Sequence, residues 1–349
     1  MTLHLAEGLS AQGISVDLIV ANAEGPLKHQ LPESIRLFDL KSKRVSRSIF
    51  RLISYLNRSN ISMLFCVLPH TSIVALVARV FSRKNIQIIA SEHNTLSQSI
   101  ANSKTLRGRM LHLPMRFAYR FADNILAVSE GVASDLRNVL SLPKAAVSVI
   151  PNPVIGPNFD TLKRRTVTHP WLRNKADPVI VAAGRLTKAK DFPTLIKALA
   201  RVRKSIPARL IILGEGEDRG CLEQLIQDLD LAEVVDLLGY LPNPYPLFSR
   251  ADLFVLSSLW EGLPTVLIEA LACSTPIIST DCDSGPREIL RNGLYGTLVP
   301  VGDVVAISRQ IENALIDPPE APPRHAWAGF SYDAVIQRYI RLIEEEMAQ

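Results

Sequence analysis

The chain is poor in cysteine: among its 349 residues only Cys66, Cys221, Cys273 and Cys282 occur, with no C-x-x-C pair and no metal-ligand spacing. That pattern excludes a disulfide framework or a cysteine-held metal and points to reduced thiols in the cytosol. Long apolar runs are missing as well. The longest, around residues 61–68, falls far short of the ~18 to 20 residues that a membrane-crossing helix needs. The first residues lack the charged, apolar, small-residue order of a secretion signal. No Ser-His-Asp arrangement suggests a hydrolase, and there is no internal repeat or low-complexity segment. What remains is a cytosolic chain, soluble or peripheral to the inner face of a membrane, whose 47% hydrophobic content can fill two cores.

Acid is scarce in one half only. Residues 1–150 hold 18 Lys and Arg against 9 Asp and Glu, a net of +9, which leaves 21 against 25, or −4, for residues 151–349. Six cations and no acid lie between Lys41 and Arg58, where Arg44, Arg47 and Arg51 share one helical face and Val45, Ile49, Leu52 and Leu56 line another. A second basic segment runs from Lys104 through Arg107, Arg109, Arg116 and Arg120, interleaved with Met110, Leu113 and Phe117. Basic amphipathic helices suit an anionic membrane surface. The competing reading is a core-packed helix with a solvated basic face. No known nucleic-acid-binding motif accompanies the charge, so nucleic acid is not expected as a partner.

Short β-branched runs alternate with helical patterns along the whole chain. Strands are expected at 14–21, 62–68, 86–91, 124–129 and 147–150, with helices near 43–57, 71–82, 103–121 and 130–141. This predicts a parallel, doubly wound α/β domain over residues 1–150. Residues 151–177, rich in proline, break the rhythm and read as a linker. A second α/β set fills residues 178–330, with strands at 179–183, 209–213, 234–238, 253–256, 277–279 and 297–299, and a C-terminal helix occupies 331–349.

The most informative feature is a pair of carboxylates. Glu261 lies in the polar loop Trp260-Glu261-Gly262, and Glu269 follows eight residues later within the apolar run Val266-Leu267-Ile268-Ala270-Leu271. A carboxylate in such a helix is costly to bury without partners, so Glu269 is expected to have a specific hydrogen-bonding role. Pro264 is placed to start the helix and Ser274-Thr275-Pro276 to stop it, which sets Glu261 just ahead of a helix N-terminus that favours phosphate. The plainer reading makes Glu269 an exposed helix residue and Glu261 a first-turn charge. Upstream, the buried strand ending at Ala183 runs into Gly184-Arg185-Leu186-Thr187-Lys188-Ala189-Lys190, where cations at a strand-to-helix turn are placed to hold a diphosphate. Lys188 reads equally as a surface cation.

Together these segments resemble the retaining glycosyltransferases of the GT-B fold, specifically family four, whose hallmark is two glutamates separated by seven residues. Gly184-Arg185-Leu186 with Lys190, Leu213-Gly214-Glu215-Gly216, Leu238-Gly239-Tyr240, the pair Glu261 and Glu269, and Gly285-Pro286-Arg287-Glu288 occur in the family's order. Ser91-Glu92-His93-Asn94, Val128-Ser129-Glu130-Gly131 and Ile150-Pro151-Asn152-Pro153 carry the likeness through the first half. The resemblance implies two Rossmann-like domains facing a cleft, with the C-terminal helix crossing back. It implies a hexosyltransferase that takes a nucleotide-sugar donor, a UDP-sugar, on the second domain and a glycan or polyprenyl-linked acceptor on the first. By the same resemblance Arg185 and Lys190 bind the diphosphate, Glu269 the ribose hydroxyls and Glu261 the sugar hydroxyls. Backbone from Gly262, Leu263, Pro264, Thr265 and Val266 would hold the distal phosphate and sugar, and Gly184, Gly214 and Gly216 belong to the same donor site. His93 would meet donor sugar or acceptor; its alternative is a loop histidine packed on Glu92 or Asn94. His70 is a second, weaker candidate, and Ser129 is a helix cap or an oxyanion-site hydroxyl. No metal or cofactor is implied: Asp281-Cys282-Asp283 sits in a later loop, outside a metal-binding context.

Two rival readings stay open. One is another GT-B enzyme, such as a UDP-sugar epimerase or a phosphorylase, although no lysine stands in a context suited to pyridoxal phosphate. The other is a non-catalytic nucleotide-sugar-binding remnant. It draws on one departure from the family pattern: Met1 falls inside the helix containing Leu5-Ala6-Glu7-Gly8-Leu9, so the first strand and glycine-rich loop are expected to be absent, whether by misassigned start, truncation or reduction. Unpaired sheet edges and reduced stability are the expected result.

Overall fold

The computed structural model describes residues 2–24 and 31–348. The chain divides into two compact units, residues 1–153 with 332–349, and residues 154–331. In the first unit the strands are β1 (Asp17–Val20), β2 (Arg36–Asp39), β3 (Met63–Cys66), β4 (Gln87–Glu92), β5 (Asn124–Ala127) and β6 (Val147–Val149), all in parallel ladders. In the second they are β7 (Val179–Ala183), β8 (Arg209–Leu213), β9 (Val235–Gly239), β10 (Leu253–Leu256), β11 (Ile277–Thr280) and β12 (Thr297–Val299), again all parallel. Both units are α/β, as the alternation predicts.

The second unit is the more tightly sealed. Its sheet runs in the order β12-β11-β10-β7-β8-β9. Strands buried on both faces need continuous apolar sequence, and all five residues of β7 are buried. Ile180, Ala182, Leu210, Ile212, Leu253 and Val255 meet the apolar stripes of helices Phe192–Val202, Arg219–Asp228 and Val304–Ile316 in one core. Of residues 151–177, expected as a linker, 154–177 group with this unit. Phe159 sits 5.0 Å from the Tyr245 ring and 5.7 Å from Trp327, and Leu172 is buried. The prolines there mark short helices, Phe159–Lys163 and Pro170–Arg173, with Pro170 in the first turn of the second.

The sheet of the first unit is in two pieces. Among the described residues β1 pairs only with β2, and β3–β6 form a separate four-stranded sheet. Between them lies a cavity of about 1160 Å³, lined by Leu5, Leu18, Val20, Met63, Phe65 and Val74 among others. The facing edges of β1 and β3 thus lack a strand neighbour. β2 is not visible in the hydrophobic pattern because its residues alternate between exposed and half-buried. The helix expected over 103–121 is broken into Leu106–Arg109, His112–Ala118 and a 3₁₀ turn at Tyr119–Phe121. Pro114 explains part of this: it fits only near a helix start, here the first turn of the middle piece. The C-terminal helix Tyr332–Met347 belongs to this unit. Val335, Tyr339 and Leu342 pack with Leu9, Ile89 and Leu126, and Asn124 Nδ2 donates to Glu346 Oε1 at 2.8 Å.

A two-stranded ladder is marginal alone. In native-state hydrogen exchange, amides of β1 and β2 are therefore expected to exchange well before those of β4 and β5. Equal protection across both pieces would contradict this account of the divided sheet.

Candidate functional site

The chain reverses direction in the second sheet at β7. It moves outward through β8 and β9, then restarts on the other side of β7 with β10. Loops leaving the carboxyl ends of two such neighbours diverge, and the crevice between them is where ligands bind in open α/β sheets. The loops after β7 and β10 carry Arg185, Lys190 and Glu261.

Backbone contacts fix the first loop. Gly184 N–H donates to Leu213 O at 2.9 Å, Leu186 N–H to Glu215 O at 3.0 Å, and Asp218 N–H to Leu186 O at 3.0 Å. A Cβ on Gly214 would stand 1.9 Å from Gly184 O, and one on Gly216 would stand 2.2 Å from Leu186 O, so the two loops touch only because both positions are glycine. Crosslinks then tie this loop to the one after β10. Leu259 N–H donates to Ala189 O at 2.8 Å and Ser257 Oγ to Lys190 O at 2.7 Å. The Lys190 ammonium forms an ion pair with Glu261, whose carboxylate also accepts from Ser258 Oγ at 2.7 Å. These two side chains are 18% and 10% exposed, so the pair is shielded from water. Arg185 and Lys188 are exposed.

Past Glu261, Gly262, Leu263 and Pro264 are buried and lead into helix Thr265–Ala272. Gly285, at φ +92°, lies against this entry: a Cβ there would come within 2.3 Å of Pro264 Cδ. The first N–H groups of the helix, at Thr265 and Val266, have no intrahelical acceptor. Nearby, Ser284 Oγ is buried without a hydrogen-bond partner among the described residues. One turn into the helix, Glu269 is largely buried, and among the described residues its carboxylate meets no hydrogen-bond donor. Burial pushes its carboxyl up to about 7. Burial likewise pushes the neighbouring Cys273 thiol up to about 12, and the Cys282 thiol, near Glu261, to about 12, so neither is a nucleophile.

In the first unit, His93 follows β4. Its Nε2 lies 3.3 Å from Ser91 Oγ, and burial lowers its pKa while a hydrogen bond with Asn152 opposes that, leaving a neutral imidazole at pH 7. Glu92 beside it is buried and hydrogen-bonded to Tyr119, and burial raises its carboxyl to about 7. His70 is exposed at the start of helix Pro69–Val80. Ser129 caps helix Glu130–Leu140, accepting from Val132 N–H at 3.2 Å. Asp281 is clamped by Arg287. Ser258 and Ser284 escape sequence reasoning because a serine in a loop carries no pattern; only the fold places them here.

Family comparisons match both units. Residues 1–155 fit the model described as Glycosyltransferase Family 4, and residues 164–330 fit Glycosyl transferases group 1. A Campylobacter jejuni protein named N-acetylgalactosamine-N,N'-diacetylbacillosaminyl-diphospho-undecaprenol 4-alpha-N-acetylgalactosaminyltransferase is 32% identical over 255 residues, 72% of this chain and 67% of that protein. The chain belongs to the GT-B glycosyltransferases. An uncharacterised glycosyltransferase of Methanocaldococcus jannaschii is 37% identical over 188 residues, and there this glycosyltransferase chain spans about half of the relative, 46% of its length. Among solved structures, sucrose-phosphate synthase from Thermosynechococcus elongatus superposes with TM-score 0.81 at 20% identity, covering 99% of this chain and 92% of that one. Anabaena HepE in complex with UDP gives 0.79 at 18% identity, covering 99% and 96%.

The Glu269 carboxyl yields a pH prediction. Its folded pKa, about 7, lies above the unfolded value of 4.5, so the folded state holds the extra proton between those values and loses stability as pH rises through them. Glu269→Gln mimics the protonated form. It should raise the melting temperature at pH 8 and leave it nearly unchanged near pH 4.5; an equal shift at both pH values would remove burial of the charge as the cause.

Proposed function

We propose that this glycosyltransferase moves a sugar, with retention of anomeric configuration, from a UDP-sugar to a lipid-linked or polysaccharide acceptor in the cytosol. The observation that carries the reading is the convergence of Arg185, Lys190 and Glu261 at the β7–β10 reversal, next to the N-terminus of the helix that holds Glu269. Cations, a helix N-terminus and two carboxylates are the groups that a sugar nucleotide needs. The name of the Campylobacter jejuni relative, with its diphospho-undecaprenol substrate, supports a lipid-linked acceptor, and the UDP in the Anabaena structure supports the base.

In this reading the E-x7-E pair divides the donor. Glu269 accepts from the ribose hydroxyls; its lack of a protein donor leaves the carboxylate for them. Glu261, oriented by Lys190 and Ser258, accepts from the sugar hydroxyls. As the bond from the sugar to the diphosphate breaks, positive charge grows on the sugar and negative charge on the departing diphosphate. Lys190 and the Thr265 and Val266 amides are held in place to meet that negative charge, and the exposed Arg185 lies in the same loop as Lys190 to join them, a task that calls for no metal. Gly184, Gly214 and Gly216 let the loops after β7 and β8 meet and so shape the donor site, and His93 is assigned to the sugar or acceptor.

Turnover measured against a panel of UDP- and GDP-sugars tests the reading. Arg185→Ala and Lys190→Ala should each lower kcat on the order of 10²-fold, because each removes a charge that matters most as the diphosphate departs. Variants that keep the parental kcat and change only KM would contradict the assignment.

A further inference from the structure

Three hydroxyl side chains, Ser257, Ser258 and Thr280, are buried at the carboxyl ends of β10 and β11, each no more than 1% exposed. A hydroxyl is costly to bury unless it has a bond to make. Ser257 Oγ holds the Lys190 carbonyl, and Ser258 Oγ holds the Glu261 carboxylate. Lys190 Nζ and Ser258 Oγ both meet the same oxygen, Oε1; among the described residues no donor meets Oε2, the oxygen left for a sugar hydroxyl. The orientation of Glu261 therefore depends on where Ser258 stands. Ser258 is fixed in turn by the third hydroxyl. The β10–β11 ladder pairs Phe254 with Ile277, Val255 with Ile278 and Leu256 with Ser279, and ends there. Past Leu256 the chain departs into the loop that carries Glu261, beyond the reach of the ladder. Thr280 bridges the gap with its side chain: Oγ1 donates to Ser258 O at 2.6 Å, with Leu256 O farther off at 3.4 Å. The main chain of Thr280 is anchored on its other side, where it pairs with Val299 of β12. A β-branched side chain has few χ1 choices, so the strand itself aims this hydroxyl.

We propose that Thr280 is a positioning residue of the transfer reaction: by its bond to the Ser258 carbonyl it sets the Ser258 hydroxyl, and with it the way Glu261 is turned to the donor sugar. Thr280 touches no substrate group. It acts through Ser258, from the strand behind it. The competing account is a hydroxyl that only satisfies a buried carbonyl, which would alter stability and leave turnover of the folded protein alone. The proposal rests on the assignment of Glu261 to the sugar hydroxyls. It requires that the whole kinetic effect of Thr280 pass through Ser258.

The experiment compares Thr280→Val, Thr280→Ser, Ser258→Ala and the double variant Thr280→Val with Ser258→Ala. Turnover is measured with the sugar nucleotide that the parent uses fastest from a panel of UDP- and GDP-sugars, and UDP binding by calorimetry. Valine keeps the branched shape and removes the donor. It lowers the melting temperature under either account, so kinetics at a temperature where the variants are folded decide. In Thr280→Val and in Ser258→Ala kcat should fall roughly tenfold or more, since small misplacements at a reacting centre are costly, while UDP, which lacks the transferred sugar, binds as it does to the parent. Thr280→Ser should restore most of kcat. The double variant should be no slower than Ser258→Ala, because residues acting in series do not add. Parental kcat in Thr280→Val overturns the proposal, as does a double variant slowed by the product of the two single effects. UDP affinity that falls together with kcat marks a collapsed site and overturns it as well. Ser258→Ala leaves every backbone bond in place and keeps the test open should Thr280→Val not fold: parental kcat there is equally fatal. A parent inactive on every sugar nucleotide sinks the donor reading and this one together, whereas parental kcat in the variants of an active parent sinks this one alone.

Discussion

The ion pair of Lys190 with Glu261 is the contact on which the candidate site depends. It joins residues 71 positions apart because β7 and β10 are neighbours at the point where the sheet reverses. Together with the Ser257 and Leu259 crosslinks it makes the two loops one wall. Burying two charges is unfavourable unless they are paired and further hydrogen-bonded. The Ser258 hydroxyl supplies that extra bond to Glu261. A ligand with phosphate for the lysine and hydroxyls for the glutamate can share the pair without leaving either charge stranded.

Glu269 stands in contrast. Burial raises its carboxyl to about 7, and among the described residues no protein donor offsets that rise. Two glutamates eight residues apart thus have opposite surroundings, one satisfied and one waiting. A fold with no use for a polyhydroxyl ligand would gain stability by replacing Glu269 with an apolar residue, given its neighbours Leu267, Ile268, Ala270 and Leu271.

Much of this was legible in the sequence where local pattern decides the outcome. Short apolar runs place all six strands of the second unit to within a residue or so, most plainly the inner strands β7, β10 and β11, which are buried throughout. A carboxylate within an apolar helical run is visible in the sequence, and Glu269 does lie in helix Thr265–Ala272. Legibility ends where long-range order decides. The Lys190–Glu261 pairing follows from strand order, which no local window contains. β2 escaped because its four residues face partly to water. Residues 154–177 looked like a linker because proline was weighed above the few apolar anchors, Phe159 and Leu172, that bind them to the second unit. In the basic segment the cations were plain, but the exposure of Phe117 and Phe121 depends on how Met115 and Ala118 pack.

The most direct test of the account is the proton balance of UDP binding, measured by calorimetry near pH 7 in buffers of different ionisation enthalpy. Hydroxyl donors from a ribose stabilise the charged form of Glu269 and lower its pKa from about 7. The terminal phosphate of UDP titrates at about 6 and contributes a release common to both proteins, so binding should release more protons in the parent than in Glu269→Gln, which should also bind UDP more weakly. Equal proton release by the two proteins, or a larger release by Glu269→Gln, would contradict the assignment of this carboxylate to the nucleotide.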